Sequence, residues 1–122
     1  MFNILVAEDD RGTRLLMKAV LEGGGYNVIT AENGSDALEV LAHEHVDLIV
    51  LDVMMPVMDG YEATRIIRSL NHPLSKSIPI IAQTANAFQE DIKKVKEVGM
   101  NAHISKPIDE ENLLKVLAQF KK

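Results

Sequence analysis

The chain has 122 residues, of which 47% are hydrophobic, so it is long enough to bury a core and is neither disordered nor fibrous. Its net charge of -5 and the lack of a long basic run argue against binding to nucleic acid or to an anionic membrane surface. The chain contains no cysteine, which excludes disulfide bonds and metal sites built from thiolates.

The N-terminal residues do not have the pattern of a targeting segment. Met1-Phe2-Asn3 leads into a short apolar run without the basic residues that open a signal peptide. No apolar stretch approaches the roughly 20 residues that a membrane-spanning helix requires. The sequence therefore predicts a single cytoplasmic domain over residues 1–122, without membrane contact of its own.

The first half of the chain reads as two strand–helix pairs. A strand over residues 3–7 stops at acidic residues, and a helix is predicted over 11–22, ended by three glycines at 23–25. A short strand over 28–31 and a turn precede a second helix over 35–43. Periodicity assigns four residues to the buried face of the first helix: Leu15, Leu16, Ala19 and Val20.

The third strand, Leu48-Ile49-Val50-Leu51-Asp52, is the most apolar of the chain. Its lack of polar alternation is typical of a strand that is covered on both faces in the middle of a parallel sheet. It ends on a carboxylate, and Asp59 is predicted to cap the helix that follows and reaches about Leu70. Asp52 is therefore expected at the carboxyl end of a central strand, where open α/β sheets bind their ligands.

The last part of the chain adds two more strand–helix pairs. A fourth strand is predicted over 78–82, and the helix after it, over 89–98, has a thin apolar stripe and should be the least firmly held. A fifth strand over 102–105 is followed by Lys106, and Asp109 opens the last helix. This strict alternation predicts a flavodoxin-like, doubly wound five-stranded parallel sheet of order 2-1-3-4-5 with five helices.

The predicted topology brings polar residues from several strand ends into one crevice. Glu8 and Asp9 follow the first strand and should meet Asp52, because the switch point of the sheet lies between strands one and three. Like charges about 4 Å apart repel by roughly 4 kcal/mol at an effective dielectric constant of about 20. A cluster with oxygen ligands alone therefore favours Mg²⁺ or Mn²⁺ as its counter-ion.

Two further side chains complete the candidate site. Thr84 is expected just beyond the fourth strand, and Lys106 just beyond the fifth. A cation, a hydroxyl and an ammonium group around a carboxylate can stabilise the oxygens of a phosphoryl group during its transfer. In that case Asp52 is the nucleophile and forms an acyl phosphate.

As an ordered set, these residues resemble the receiver domain of two-component response regulators over essentially the whole chain. The likeness is greatest to receivers of hybrid histidine kinases, and it leaves open whether the chain is free-standing or part of such a kinase. The matching segments are residues 4–9, 51–52, 55–60, 84–85 and 106–107.

The resemblance implies a function in phosphorelay signalling. Asp52 would accept a phosphoryl group from the phosphohistidine of a sensor histidine kinase or histidine phosphotransfer domain. The domain would catalyse only its own phosphorylation and dephosphorylation. Asp9, Asp52 and the backbone carbonyl of Met54 would bind Mg²⁺ directly, and Glu8, where the family often has Asp, would act largely through a metal-bound water.

The resemblance also implies a switch and two positions that tune the lifetime of the phosphate. Thr84 and Lys106, which precedes an expected cis Pro107, would hold the phosphoryl oxygens. Met54 and Asn86 would flank the path of the attacking water. His103 occupies the usually aromatic switch position; it either swings inward behind Thr84 or is a half-exposed histidine of an edge strand.

Three other interpretations are weaker. A haloacid-dehalogenase-type phosphatase needs a second acid two residues after its nucleophile, and Met54 stands there. A receiver fold that signals without phosphorylation would not need the intact set of acidic, hydroxyl and ammonium groups. A nucleotide-binding loop is disfavoured because the glycines at 23–25 end a helix and do not open one.

Overall fold

The computed structural model describes residues 2–55, 58–70, 77–84 and 89–120, and for residues 89–91 it describes the backbone alone. In this part of the chain the strands β1 to β5 are Asn3–Ala7, Asn27–Ala31, Leu48–Asp52, Ile80–Thr84 and Ala102–Ser105. The helices α1 to α5 are Arg11–Gly23, Gly34–His43, Gly60–Ser69, Gln89–Glu97 and Glu110–Ala118. None of the described helices combines the length and the apolar character that crossing a membrane requires.

The strands form one parallel sheet of order β2-β1-β3-β4-β5, which confirms the predicted topology. In the register of the sheet Ala7 pairs with Leu51, and Asp52 pairs with Gln83. The carboxyl ends of β1, β3 and β4 therefore lie side by side at one edge of the sheet.

The sheet separates two hydrophobic clusters. Side chains alternate between the faces of each strand, so Leu5 and Ala7 point to one cluster while Ile4 and Val6 point to the other. The helices contribute to the first cluster through α2, α3 and α4, with Ala37, Ala63, Ile67 and Val95. They contribute to the second through α1 and α5, with Met17, Leu21, Leu113 and Leu117.

Several helices begin at a side chain that caps their free N–H groups. Asp59 accepts a hydrogen bond from the N–H of Glu62 at 2.8 Å, and Asp109 accepts one from the N–H of Glu111 at 3.0 Å, so both predicted caps are confirmed. Asp10 caps α1 by accepting bonds from the N–H and the hydroxyl of Thr13, and these bonds lower the pKa of the Asp10 carboxyl.

The buried face of α1 differs from the predicted one: Val20 packs against the second cluster as predicted, but Leu15, Leu16 and Ala19 are exposed. Leu15 and Leu16 are 53% and 44% exposed, and the helix packs instead through Met17 and Leu21, which are fully buried. Arg14 lies one turn before Met17 and donates a hydrogen bond from Nη1 to the backbone carbonyl of Glu8 at 2.9 Å. Because α1 has apolar residues on two sides, periodicity alone offered two faces, and tertiary contacts selected the other one.

The fourth strand also differs from its prediction over 78–82, because β4 covers Ile80–Thr84. Pro79 lacks an N–H group, so the regular ladder begins after it. At the other end, the N–H of Val53 donates to the carbonyl of Gln83, and the N–H of Lys106 donates to that of Thr84. Thr84 therefore lies within the strand and not beyond it.

Arg68 at the end of α3 fixes the segments that lead into β4 and β5. Its guanidinium group donates hydrogen bonds to the backbone carbonyls of Ile78 and Gly99 and to the side-chain oxygen of Asn101, at 2.7 to 3.0 Å. The same oxygen of Asn101 accepts the N–H of Ile80 at 2.9 Å. This network aligns the starts of the two strands whose other ends carry Thr84 and Lys106.

The assignment of the buried face of α1 can be tested with two leucines of that helix. We expect Leu21→Ala to lower the free energy of unfolding by about 2–5 kcal/mol, because truncation of a fully buried leucine leaves a cavity. Leu16→Ala, the matched control, should lower it by less than about 1 kcal/mol, because that side chain is partly in water already. Urea denaturation gives both values, and equal losses would contradict the assignment.

Candidate functional site

Three carboxylates meet at the carboxyl end of the sheet, as the topology predicts. Glu8, Asp9 and Asp52 each offer an oxygen atom, and these atoms all lie within 4.8 Å of one another. Glu8 is 0% exposed and Asp52 is 1% exposed, whereas Asp9 is exposed to solvent. The cluster therefore has a buried side and an open side.

Lys106 connects the two buried carboxylates. Its Nζ atom lies 2.9 Å from Oδ2 of Asp52 and 3.3 Å from Oε1 of Glu8. Burial by itself lowers the pKa of Lys106, but the hydrogen bond and the charge of Asp52, followed by those of Glu8, raise it overall. The ammonium group therefore remains charged and offsets part of the repulsion between the two acids.

The backbone places Lys106 over the site. Its N–H group donates to the carbonyl of Thr84 at 2.8 Å, which joins the end of β5 to the end of β4. The Lys106–Pro107 peptide bond is cis, as the resemblance implied.

Glu8 has the most strongly perturbed titration among the described residues. Burial raises the pKa of its carboxyl to about 8, and the hydrogen bond and the charge of Asp52 act in the same direction, while Lys106 opposes them. A cation at the site would reverse this preference, because it stabilises the ionised form of the carboxyl group.

Asp52 is held from both sides. Its Oδ2 contacts Lys106, and its Oδ1 accepts a hydrogen bond from the N–H of Met54 at 3.0 Å. A Cβ atom on Gly60 would lie 2.5 Å from the backbone carbonyl of Asp52, so only glycine allows α3 to begin this close to β3. The carboxylate consequently has little freedom to rotate.

The remaining predicted residues occupy different surroundings. Thr84 is 2% exposed, and among the described residues no hydrogen-bond partner faces its hydroxyl. His103 is half-buried on the edge strand β5, where it pairs with Ala82. Met54 is 69% exposed. Asn86 lies outside the described residues.

Gln83 also belongs to the site, although the residue pattern did not indicate it. Its side chain is fully buried, and its Nε2 atom lies 3.3 Å from Oε1 of Glu8. The prediction ended the fourth strand at Ala82, and this placed Gln83 in a loop. One feature of the sequence could have indicated it. Gln83 is a polar residue that directly continues the apolar run of residues 78–82 and directly precedes Thr84.

The arrangement suits chemistry on an anionic, oxygen-rich group. It combines a restrained carboxylate with an ammonium donor, an uncommitted hydroxyl and acidic oxygens that match the ligand preference of Mg²⁺.

Comparison with known proteins agrees with this geometry. The response regulator receiver domain model matches residues 4–118. The chain is 38% identical over 117 residues to the CAI-1 autoinducer sensor kinase/phosphatase of Vibrio cholerae, covering 96% of the chain and 17% of that kinase. It is 42% identical over 105 residues to the sensor histidine kinase RcsC of Escherichia coli, covering 86% of the chain and 11% of that kinase.

Solved structures show the same fold. The chemotaxis protein CheY4 of Vibrio cholerae has a TM-score of 0.93 at 32% identity, with 99% of each chain covered. The receiver domain of a Pseudomonas aeruginosa sensor histidine kinase, solved with a magnesium ion coordinated in its active-site cleft, has a TM-score of 0.88 at 34% identity, covering 98% of this chain and 96% of that one. The chain therefore belongs to the response regulator receiver domain family of two-component systems.

Proposed function

We propose that this receiver domain accepts a phosphoryl group on Asp52 from a phosphohistidine and acts as a switch controlled by that modification. The observation that carries the proposal is the contact of Lys106 with Asp52 at 2.9 Å beside two further acidic residues. On this proposal, one crevice combines the nucleophile, a cationic donor and a candidate metal site.

The proposed partner is a sensor histidine kinase or a histidine phosphotransfer domain. Two similar curated proteins are sensor kinases, and the chain corresponds to 17% and 11% of their lengths. We therefore assign the receiver step to this chain; histidine kinase activity would belong to the protein only if the chain is part of a longer hybrid kinase. The cytoplasmic location and the single domain over residues 1–122 stay predictions from the sequence.

We propose Mg²⁺ as the cofactor, with Mn²⁺ as a substitute. Asp9 and Asp52, with the carbonyl of Met54, would hold the ion, and Glu8 would contribute mainly through water. The fit is supported by the three carboxylate oxygens within 4.8 Å and by Oε2 of Glu8, which is buried without a partner among the described residues. When bound, the ion would offset the negative charge of the acids and of the phosphoryl group.

In the proposed reaction a carboxylate oxygen of Asp52 attacks the phosphorus atom. The new O–P bond forms as the P–N bond to the partner's imidazole breaks, and the bonding electron pair stays on that nitrogen. Lys106 donates a hydrogen bond to a phosphoryl oxygen, and the hydroxyl of Thr84 donates another. The signal ends when water hydrolyses the acyl phosphate, and Met54 and Asn86 control how easily that water reaches the phosphorus atom.

Phosphorylation is also proposed to move Thr84 toward Asp52 and to rearrange the segment from residue 84 to 105. The driving force is the charge-assisted hydrogen bond of a hydroxyl that has no partner among the described residues beforehand. His103 would then fill the space that Thr84 leaves. Phosphorylation would control binding of a partner whose binding free energy favours the phosphorylated form by about 1–3 kcal/mol.

The phosphorylation site can be tested directly. Incubation with acetyl phosphate and Mg²⁺ should add the mass of one phosphoryl group to the wild type, and Asp52→Asn should abolish the addition because the amide is not a nucleophile. Asp36→Asn, on the exposed surface of α2, is the matched control and should be labelled like the wild type. Undiminished labelling of Asp52→Asn would sink the assignment.

Titration calorimetry tests the metal site. We expect Asp9→Ala to weaken Mg²⁺ binding by about 10-fold or more, because it removes a proposed direct ligand. Glu8→Gln should weaken binding less, by about a few-fold, because Glu8 acts through water. Asp36→Ala serves as the control for the loss of one surface charge. An unchanged affinity in Asp9→Ala would refute the proposed ligand set.

Amide hydrogen exchange with the phosphate mimic beryllofluoride tests the switch. Exchange within residues 84–105 should change in the wild type and in Thr84→Ser, which keeps the hydroxyl. The change should be lost in Thr84→Val, which has the same shape without a donor. If Thr84→Val responds like the wild type, the hydroxyl does not drive the transition.

A further inference from the structure

We propose that Gln83 is a positioning residue of the metal site, which holds Oε1 of Glu8 and thereby leaves Oε2 free to accept a hydrogen bond from a water of the hydrated cation. The inference deepens the proposed function, since it rests on Mg²⁺ binding by the cluster of Glu8, Asp9 and Asp52. No role is assigned to Gln83 by the resemblance to receiver domains.

The location of Gln83 leads to this inference. It pairs with Asp52 in the register of β3 and β4, and both side chains are buried. Ile81, two residues earlier on the same strand, packs in the cluster that α1 and α5 cover, so Gln83 points to that face as well. An amide at this position is therefore surrounded by core on one side and by the acidic cluster on the other.

The two oxygens of Glu8 have different surroundings. Oε1 contacts Nε2 of Gln83 and Nζ of Lys106, each at 3.3 Å. Oε2 is buried and has no hydrogen-bond partner among the described residues. A buried carboxylate oxygen without a partner is costly, so a ligand that supplies positive charge or a donor at Oε2 would stabilise the arrangement.

Gln83 itself is incompletely satisfied in the same place. Its own carbonyl oxygen, Oε1, is buried without a partner among the described residues, while its amide nitrogen contacts Glu8. A hydrated cation would meet both needs, because it brings charge for the carboxylate and O–H donors for the amide carbonyl. The two unmet groups thus point to the same ligand.

The length of the Glu8 side chain explains why the contact with Gln83 is needed. Glutamate has one more rotatable bond than aspartate, so its carboxylate needs an additional restraint to occupy one orientation. Lys106 cannot supply this restraint alone, because the same ammonium group also contacts Asp52. Gln83 holds Glu8 independently of the residue that faces the phosphoryl group.

The first test is Mg²⁺ affinity by titration calorimetry. Gln83→Met keeps the length of the side chain but removes both polar ends, and it should weaken binding by about a few-fold, no more than Glu8→Gln does, because it acts through the Glu8 carboxylate. Ile81→Met on the same strand and face is the matched control and should leave affinity unchanged. Equal affinities of Gln83→Met and the wild type would overturn the proposal.

A double-mutant cycle separates positioning from a general effect on the fold. If Gln83 acts through the Glu8 carboxylate, Gln83→Met should cause no further loss of affinity in a Glu8→Gln background. A full additional loss there would show that Gln83 acts on the site by another route and would contradict the inference.

NMR spectroscopy on the wild-type protein tests the proposal without relying on the folding of any variant. The side-chain amide signals of Gln83 in nitrogen-15 NMR spectra should shift on addition of Mg²⁺, with the midpoint found by calorimetry. Signals that stay fixed while the wild type binds Mg²⁺ would overturn the role of Gln83 and leave the proposed function intact. A wild type that binds no Mg²⁺ would instead refute both.

Discussion

Two buried carboxylates, those of Glu8 and Asp52, share one ammonium group, and the rest of the site depends on this contact. Removing acidic groups from water is costly, and placing two of them together adds repulsion. Lys106 offsets part of that cost from 2.9 and 3.3 Å, and the raised pKa of Glu8 shows that it does not offset all of it. The remaining imbalance would favour binding of a further positive charge and would make the site sensitive to an added negative one.

The backbone around this contact leaves it little room to relax. Gly60 lets α3 begin directly against Asp52, and the hydrogen bond between the N–H of Lys106 and the carbonyl of Thr84 joins β5 to β4 at the same level. At the opposite end of the sheet, Arg68 fixes the entries to both of these strands. Because β4 and β5 are held at both ends, they cannot shift to move the charged side chains at the carboxyl edge apart.

Membership of the receiver domain family gives these features a common purpose. A phosphoryl group on Asp52 would add negative charge to a crowded acidic site, so its stability would depend on groups that are not yet fully engaged. The hydroxyl of Thr84, the carbonyl of Gln83 and Oε2 of Glu8 are such groups among the described residues. Each is buried at the edge of the sheet, so the response to a ligand can pass from the site into β4 and its neighbours.

The sequence by itself determined the order of the elements, the sheet topology and the meeting of Glu8, Asp9 and Asp52, because strand ends in a parallel sheet converge whatever the details of packing. It did not determine the buried face of α1, where Leu15 and Leu16 fit a helical period as well as Met17 and Leu21 do. Nor did it place Gln83, because a strand extends as far as its neighbours supply hydrogen bonds, and those partners come from β3 and β5. Local patterns report what a segment prefers, whereas the choice between equal faces and the last residues of a strand are decided by contacts with segments distant in the chain.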